Sequence, residues 1–482
     1  MMAILLPLLS VCVTAERASA SPLDNPQSRP NIVVILADDL GYAELGCYGQ
    51  KVIKTPHLDT MAREGMRFTQ FYAGATVCAP SRSVLMTGLH HGHTRVRGNA
   101  GAANPAAQAL REGDRTVASV LQQAGYRTAL IGKWGLGDVG AAETGLPRRQ
   151  GFDEFFGFLN QQHAHNHFPS FLWKNEEKVT LKNDLVAAGE TGAGYSTNQA
   201  EFADDLFAAE ALRFVRTHKD QPFFLYWSLV TPHANNERTR MLGNGASVPD
   251  FGPYADKDWP EQDKGHAAMI SRLDGHVGRL LDELRELKID KNTLVIFTSD
   301  NGPHNESRHD LKRFQPSGPF SGIKRSLTDG GIRVPMIAWW PGQISAGSTS
   351  THVSYFGDLM ATASELAGVP APDGLDSLSL VPVFKGDTAK IKSHEFLYWE
   401  FHEGGFRQAA LYQGRWKGIR NGSPDAPVRL FDLQSDPAEQ TDVASKEPEI
   451  AARVSDYLRD ARSDSPDWKP IWKEGRADGE KR

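Results

Sequence analysis

Four apolar runs in this chain end in residues that can do chemistry. Residues 31–37 (NIVVILA) lead into Asp38-Asp39, and residues 128–132 lead into Lys133. Residues 223–230 lead into Thr231-Pro232-His233, and residues 293–299 into Asp300-Asn301. In open α/β sheets, ligands bind beyond the carboxyl ends of the strands. An Asp after a strand is usually a cap or turn residue, and a Lys or His there usually meets solvent or fills a loop. Four such ends, carrying acid, amide, ammonium and imidazole groups, favour one shared site. Asp38, Asp39, Asp300 and Asn301 offer only oxygen donors, which suit Ca²⁺ or Mg²⁺ over Zn²⁺. A second element is Cys78-Ala79-Pro80-Ser81-Arg82, ending six residues later at Gly88. Pro80 suits a first helical turn and Gly88 a stop, so Cys78 falls at a helix N-terminus, where free N–H groups and the dipole favour anions. Arg82 lies one turn further on the same face. A lone cysteine at such a place is more often a buried structural thiol, and spacing leaves both readings open.

These residues need a frame to hold them. The run 31–37 is short, β-branched and apolar throughout, as expected of a strand buried on both faces. Val117, Val120, Leu121 and Ala124 fall at helical spacing before Gly125, and a strand follows from Arg127. Residues 266–287 carry Ile270, Leu273, Val277, Leu280, Leu281, Leu284 and Leu287 on one stripe. Helices alternating with buried strands predict an α/β fold, a large mostly parallel sheet sandwiched by helices, over residues 29–371. From 372 to 482 the pattern changes to short strands (395–400, 409–412, 416–420, 429–433) and a helix at 448–462. This reads as a smaller C-terminal antiparallel α+β subdomain with a charged tail that frays after Ser463. Residues 235–259 are polar and rich in Gly and Pro, the composition of an insertion or lid.

The whole chain has 482 residues, 53 Lys+Arg against 59 Asp+Glu, and a net charge of −6. That balance gives no electrostatic footprint for nucleic acid. Residues 1–13 are almost wholly apolar and precede Ala18-Ser19-Ala20, so 1–20 reads as a signal peptide. No later stretch reaches 18 apolar residues, so no transmembrane segment is expected. The chain is predicted to be periplasmic or secreted, without a lipid anchor because Val11 is too large for the position before Cys12. After cleavage only Cys47 and Cys78 remain, which is not a disulfide framework.

The run from Cys78 to Gly88 resembles the maturation signature of the type I sulfatases of the alkaline-phosphatase superfamily, C-x-P-S-R followed by T-G. Other landmarks of that family follow in order: Ala37-Asp38-Asp39-Leu40-Gly41, Gly132-Lys133-Trp134, Thr231-Pro232-His233, Asp300-Asn301-Gly302, and Gly322-Ile323-Lys324 before Gly330-Gly331-Ile332-Arg333. The resemblance runs from Arg29 to about Asp442. It implies that a sulfatase-maturating enzyme oxidises Cys78 to formylglycine, whose aldehyde hydrates to a diol. One hydroxyl attacks sulfur and the other expels sulfate, a step a plain serine could not perform. It also implies one Ca²⁺ on Asp38, Asp39, Asp300 and Asn301, with Arg82, Lys133 and Lys324 balancing charge and holding sulfate oxygens. His233 would assist proton transfer or sulfate binding, and Lys324 would protonate the leaving oxygen. The substrate class implied is a sulfated carbohydrate. Many relatives carry a His two residues after the lysine, against the diol, where this chain has Gly135. The loop holding His163, His165 and His167 would put the three on one side if extended. His165 is the first candidate to take that role or to read the sugar, and His309 is a similar substrate-contact candidate. Two alternatives remain: a phosphate or phosphonate ester hydrolase of the same superfamily, and a non-catalytic protein that binds sulfated glycans.

Overall fold

Side chains alternate across a pleated strand, so a strand apolar at every position must be covered on both faces. The strand β1 (Asn31–Asp38) is buried along its whole length. Ile32, Val34 and Leu36 enter one hydrophobic cluster, while Val33, Ile35 and Ala37 enter another on the opposite face. The computed structural model describes residues 29–100, 104–140 and 142–472, so the segment 1–20 read as a signal peptide lies outside the described residues.

Ten strands form the main sheet: β1, β2 (Met66–Phe68), β3 (Arg127–Lys133), β4 (Glu154–Phe158), β5 (Phe171–Lys174), β6 (Glu177–Thr180), β7 (Phe223–Pro232), β8 (Thr293–Ser299), β9 (Met336–Trp339) and β10 (Ser348–Ser350). Their order is β10-β2-β9-β8-β1-β7-β3-β4-β5-β6. The central five, β8 to β4, run parallel, with Val33 opposite Leu225 on one side and Val295 on the other. Antiparallel partners join at both margins. Helices α1 (Pro56–Glu64), α4 (Ala203–His218) and α5 (Glu261–Glu286) cover one face. Helices α2 (Cys78–Thr87), α3 (Val117–Gln123) and α6 (Asp358–Ala367) cover the other. The α3 start is fixed by a reciprocal capping box between Thr116 and Ser119. The stripe read from His266 begins five residues earlier, at Glu261, because a first turn tolerates Glu261 and Asp263.

A separate four-stranded antiparallel sheet follows, β11 (Phe396–Phe401) to β12 (Arg407–Tyr412), β13 (Trp416–Asn421) and β14 (Arg429–Asp432). The helix α7 (Pro448–Asp460) packs on it through Val454 and Leu458. Its other face joins the main core through Trp399, Leu411 and Ile419. Two sequence readings need correction here. Over the described residues 464–472 the chain is held to the body: Trp468 is buried, and its indole N–H donates to the Ala107 carbonyl at 3.2 Å. Nor is 235–259 only a lid. It contains a helical turn at Asn236–Leu242 and buries Tyr254, whose hydroxyl accepts from Lys54 N at 2.8 Å.

Candidate active site

The parallel strands deliver their last residues to one end of the sheet. Asp38 and Asp39 close β1, Lys133 closes β3, His233 follows β7, and Asp300-Asn301 follow β8. The first turn of α2 points into the same place. Cys78 opens that helix, with its Sγ 3.4 Å from Asp38 Oδ1. Asn99 Oδ1 accepts from Ala79 N at 3.2 Å and so caps the helix start.

Three cations are threaded among the carboxylates. Arg82 is fully buried and donates to Asp300 Oδ2 from Nε (3.2 Å) and Nη2 (2.8 Å). Its Nη1 reaches the Lys133 carbonyl at 3.0 Å and the Ser228 hydroxyl. Lys133 Nζ donates to Asp38 Oδ2 at 2.5 Å. Lys324 Nζ donates to Asp39 Oδ2 (2.8 Å) and Glu306 Oε2 (3.1 Å), and lies 3.1 Å from His233 Nε2. The other ring nitrogen of His233 bonds the Ala234 carbonyl at 2.7 Å, so it carries the proton and Nε2 faces Lys324 as an acceptor.

Burial alone would raise the Asp38 carboxyl, but Lys133, His233 and Arg82 outweigh it and hold it well below its usual range. For Asp39, Lys324 and His233 likewise overcome burial. Asp300 is different: burial and then the Asp38 charge push it up to about 7, beyond what Arg82 offsets. Burial, Asp300 and Asp38 keep Cys78 a thiol, well above its ordinary value. A hard divalent cation fits this set. Asn301 donates to Asp39 Oδ1 at 2.7 Å, leaving its own Oδ1 buried and unpartnered. Three carboxylates at one point also need more positive charge than three basic side chains supply when Glu306 shares Lys324.

The structure therefore brings Cys78, Arg82, Lys133, His233, Lys324, Asp38, Asp39, Asp300 and Asn301 together. His165 lies at the edge, its ring stacked on His233 at 5.0 Å, with Nδ1 3.1 Å from Glu237 Oε2. The segment around it is a helical turn, Gln161–Ala164, not an extended strand, so the three histidines do not share a side. His163 is buried between Phe158 and Phe171, and His167 bonds the Ser247 carbonyl. His309 is not delivered to the site surface: it is 4% exposed and stacked on His266. Beside Gly135 (φ 81°), a Cβ would come 2.3 Å from Gln161 Nε2, so the glutamine amide fills the space a side chain would take. Glu306 and Asn99, placed by loops, and Glu237, in the short helix Asn236–Leu242, carry no signal in the sequence because tertiary packing alone brings them here. Ser228 does: it is a small hydroxyl residue set among the bulky side chains of β7.

Residues 30–369 match the family model described as Sulfatase, and residues 321–464 match one described as N-sulphoglucosamine sulphohydrolase, C-terminal. The chain is 34% identical over 393 residues to N-acetylgalactosamine-6-sulfatase of Rattus norvegicus, covering 79% of this chain and 69% of that protein. It spans only 65–66% of three further mammalian proteins of that name. It is 32% identical to arylsulfatase A of Homo sapiens, covering 87% of this chain and 85% of that one. A solved structure described as Ps i-CgsB in complex with k-i-k-neocarrahexaose superposes with a TM-score of 0.74 at 25% identity, covering 93% of this chain and 95% of that chain.

Proposed function

Because this chain belongs to the sulfatase family and is a sulfuric ester hydrolase, we propose that it removes sulfate from a sulfated carbohydrate, using a formylglycine made from Cys78 and one Ca²⁺. The observation that carries this reading is the convergence of Cys78, at the first position of α2, with four buried oxygen ligands and three buried cations. The names of the sulfatase relatives and the neocarrahexaose complex that superposes on this chain support the substrate class. A sulfatase-maturating enzyme is the partner that the Cys78–Arg82 signature calls for. The apolar segment 1–13 with Ala18-Ser19-Ala20 supports export to the periplasm or beyond. No described helix is long and apolar enough to cross a membrane.

Asp38, Asp39, Asp300 and Asn301 would hold the Ca²⁺, which supplies charge stabilisation at a sulfate oxygen. The formylglycine hydrate supplies one hydroxyl for attack on sulfur and a second for sulfate release. The chain's own groups do the rest. Arg82 is locked by Asp300, Ser228 and the Lys133 carbonyl, so its guanidinium needs no reorganisation as charge shifts. Lys133, at the end of β3, and Lys324, from the loop between β8 and β9, present ammonium groups to the anion. Lys324 donates a proton to the departing sugar oxygen, and His233 Nε2, an acceptor beside it, takes the proton lost from the second hydroxyl and passes it on to re-protonate Lys324. Burial of every one of these groups excludes competing water.

The test is production with a maturating enzyme, peptide mass analysis at position 78, and assay on a sulfated sugar and the matching phosphate. The expected result is an aldehyde at 78, turnover of the sulfate ester, and no activity in Cys78→Ala. Full activity in Cys78→Ala would overturn the nucleophile, and preferred turnover of the phosphate would move the chain to the phosphohydrolase reading.

A further inference from the structure

Behind the wall formed by His233, three imidazoles meet that the sulfatase chemistry does not use. His266 comes from α5, and His304 and His309 from the loop after Asn301. All three are buried, at 1%, 1% and 4% exposure. The His266 and His309 rings stack at 3.7 Å, and His304 stands edge-on to His309 at 5.1 Å. One nitrogen from each ring lies within 4.8 Å of the other two.

Two of those rings have a free nitrogen. Glu44 accepts from Gly41 N with one oxygen (2.7 Å) and from His266 Nε2 with the other (2.6 Å). The proton therefore sits on Nε2, and His266 Nδ1 is a buried lone pair with no hydrogen-bond partner. His309 Nδ1 shares a 2.6 Å hydrogen bond with Ser307 Oγ, and its Nε2 is also buried and unpartnered. Each such orphan costs about 1–3 kcal/mol, so two in one buried cluster call for a ligand. An imidazole anchored through its far nitrogen by a carboxylate or hydroxyl is the arrangement of a metal-binding histidine. His304 is held by the Pro232 carbonyl (2.8 Å) and accepts from Glu306 N (3.0 Å). Ligation through the second of these nitrogens would exchange one neutral contact for a metal bond.

We propose that His266, His304 and His309 form a site for one divalent transition-metal ion of the Zn²⁺ type, separate from the oxygen-lined site at Asp38 and Asp39. An all-imidazole donor set selects against Ca²⁺ and Mg²⁺. A tetrahedral ion with bonds of about 2.0–2.1 Å needs nitrogens about 3.3 Å apart, a contraction that turning the rings provides. Phe314 packs on both His266 and His309 and shields them on that side. The ion is thus structural: it pins the loop that carries Glu306, the partner of Lys324, against α5.

The experiment uses the full-length matured enzyme, stripped with chelator, restored with Ca²⁺, and titrated with Co²⁺ as a spectroscopic probe. Imidazole ligands in low symmetry give an intense visible band that an oxygen cage does not. One equivalent of Co²⁺ should produce the band and raise Tm. His309→Ala and His266→Gln should abolish it. Glu44→Gln, which leaves all three ligands in place, should weaken Co²⁺ affinity about 10–100-fold, and Asp38→Asn should leave the band intact. The untreated enzyme should contain a transition metal as well as calcium. Absence of a band, or a band that survives His309→Ala, would overturn the proposal.

Discussion

Arg82 is the residue on which the other charges depend. It carries its guanidinium into a dry pocket, spans Asp300 with two nitrogens and stands 3.7 Å from Asp38. Removing one partner of a buried ion pair costs about 3–5 kcal/mol because the remaining charge is left uncompensated. Arg82→Ala should therefore lose about that much stability in chemical denaturation and lose at least about 100-fold in kcat. A loss of activity with stability unchanged would show that Arg82 touches substrate but does not hold the site together. His165 makes a softer prediction. It stacks on His233 at the site's edge and is tethered by Glu237, and we propose that it meets the sugar and not sulfur. His165→Ala should raise KM for the sulfated carbohydrate several-fold and spare a small aryl sulfate. Equal damage on both substrates would instead make it part of the proton path. Gly135 is constrained twice, by φ 81° and by Gln161 Nε2 at 2.3 Å from any Cβ. Gly135→Ala should cost about 1–2 kcal/mol from the backbone alone. Gln161→Ala in the same chain should recover the further loss due to the clash, read as Tm in a double-mutant cycle.

At the scale of elements, the strands were legible because fully apolar β-branched runs leave few other structures open, and their polar ends then mark the site. β1 and β8 were readable to within one residue, and with them Asp38, Asp39, Asp300 and Asn301. Cys78 and Arg82 were readable from helix punctuation plus motif. What escaped was supplied by loops and by one short helix. Glu306 reaches Lys324, Glu237 reaches His165 and Asn99 caps α2, all through tertiary placement with no local period to announce it. His309 was read as a substrate contact on sequence proximity to Asn301, but the loop turns it inward onto His266. The tail was misjudged for a similar reason: its charges suggested solvent, while Trp468 anchors it. That indole covers Gly98, where a Cβ would sit 2.5 Å from the ring, and Asp467 pairs with Arg111 at 2.6 Å. Trp468→Ala should destabilise the enzyme by about 3–5 kcal/mol, measured by urea denaturation. A change below about 0.5 kcal/mol would return the tail to the surface.

Across the whole molecule, the main sheet and the C-terminal sheet are joined by a buried charge cluster as well as by apolar packing. Lys417, from β13, donates to Asp329 Oδ1 at 3.0 Å and lies 3.6 Å from Glu439 Oε1. Asp329 also accepts from Tyr72 (3.1 Å) and pairs with Arg333 (3.2 Å), while its own N–H donates to Glu439 Oε2 at 2.6 Å. One lysine thus serves two acids. Lys417 and Arg333 hold Asp329 below its usual range against burial. Burial, with the neighbouring Asp329 charge, pushes Glu439 up from 4.5 to about 7 despite Lys417. The folded state therefore binds this proton more tightly than the unfolded chain does between those two values. By linkage, the Glu439 contribution to stability falls as pH rises from about 4.5 to about 7 and is flat above that. The full swing is on the order of 3–4 kcal/mol. Glu439→Gln keeps the acceptor for Asp329 N but cannot ionise. Unfolding free energies at pH 5 and pH 8 should show the wild type losing more stability over that interval than Glu439→Gln, so the variant gains on it at pH 8. Parallel pH dependences would mean that Glu439 is ionised throughout and that Lys417 alone satisfies both acids at the joint.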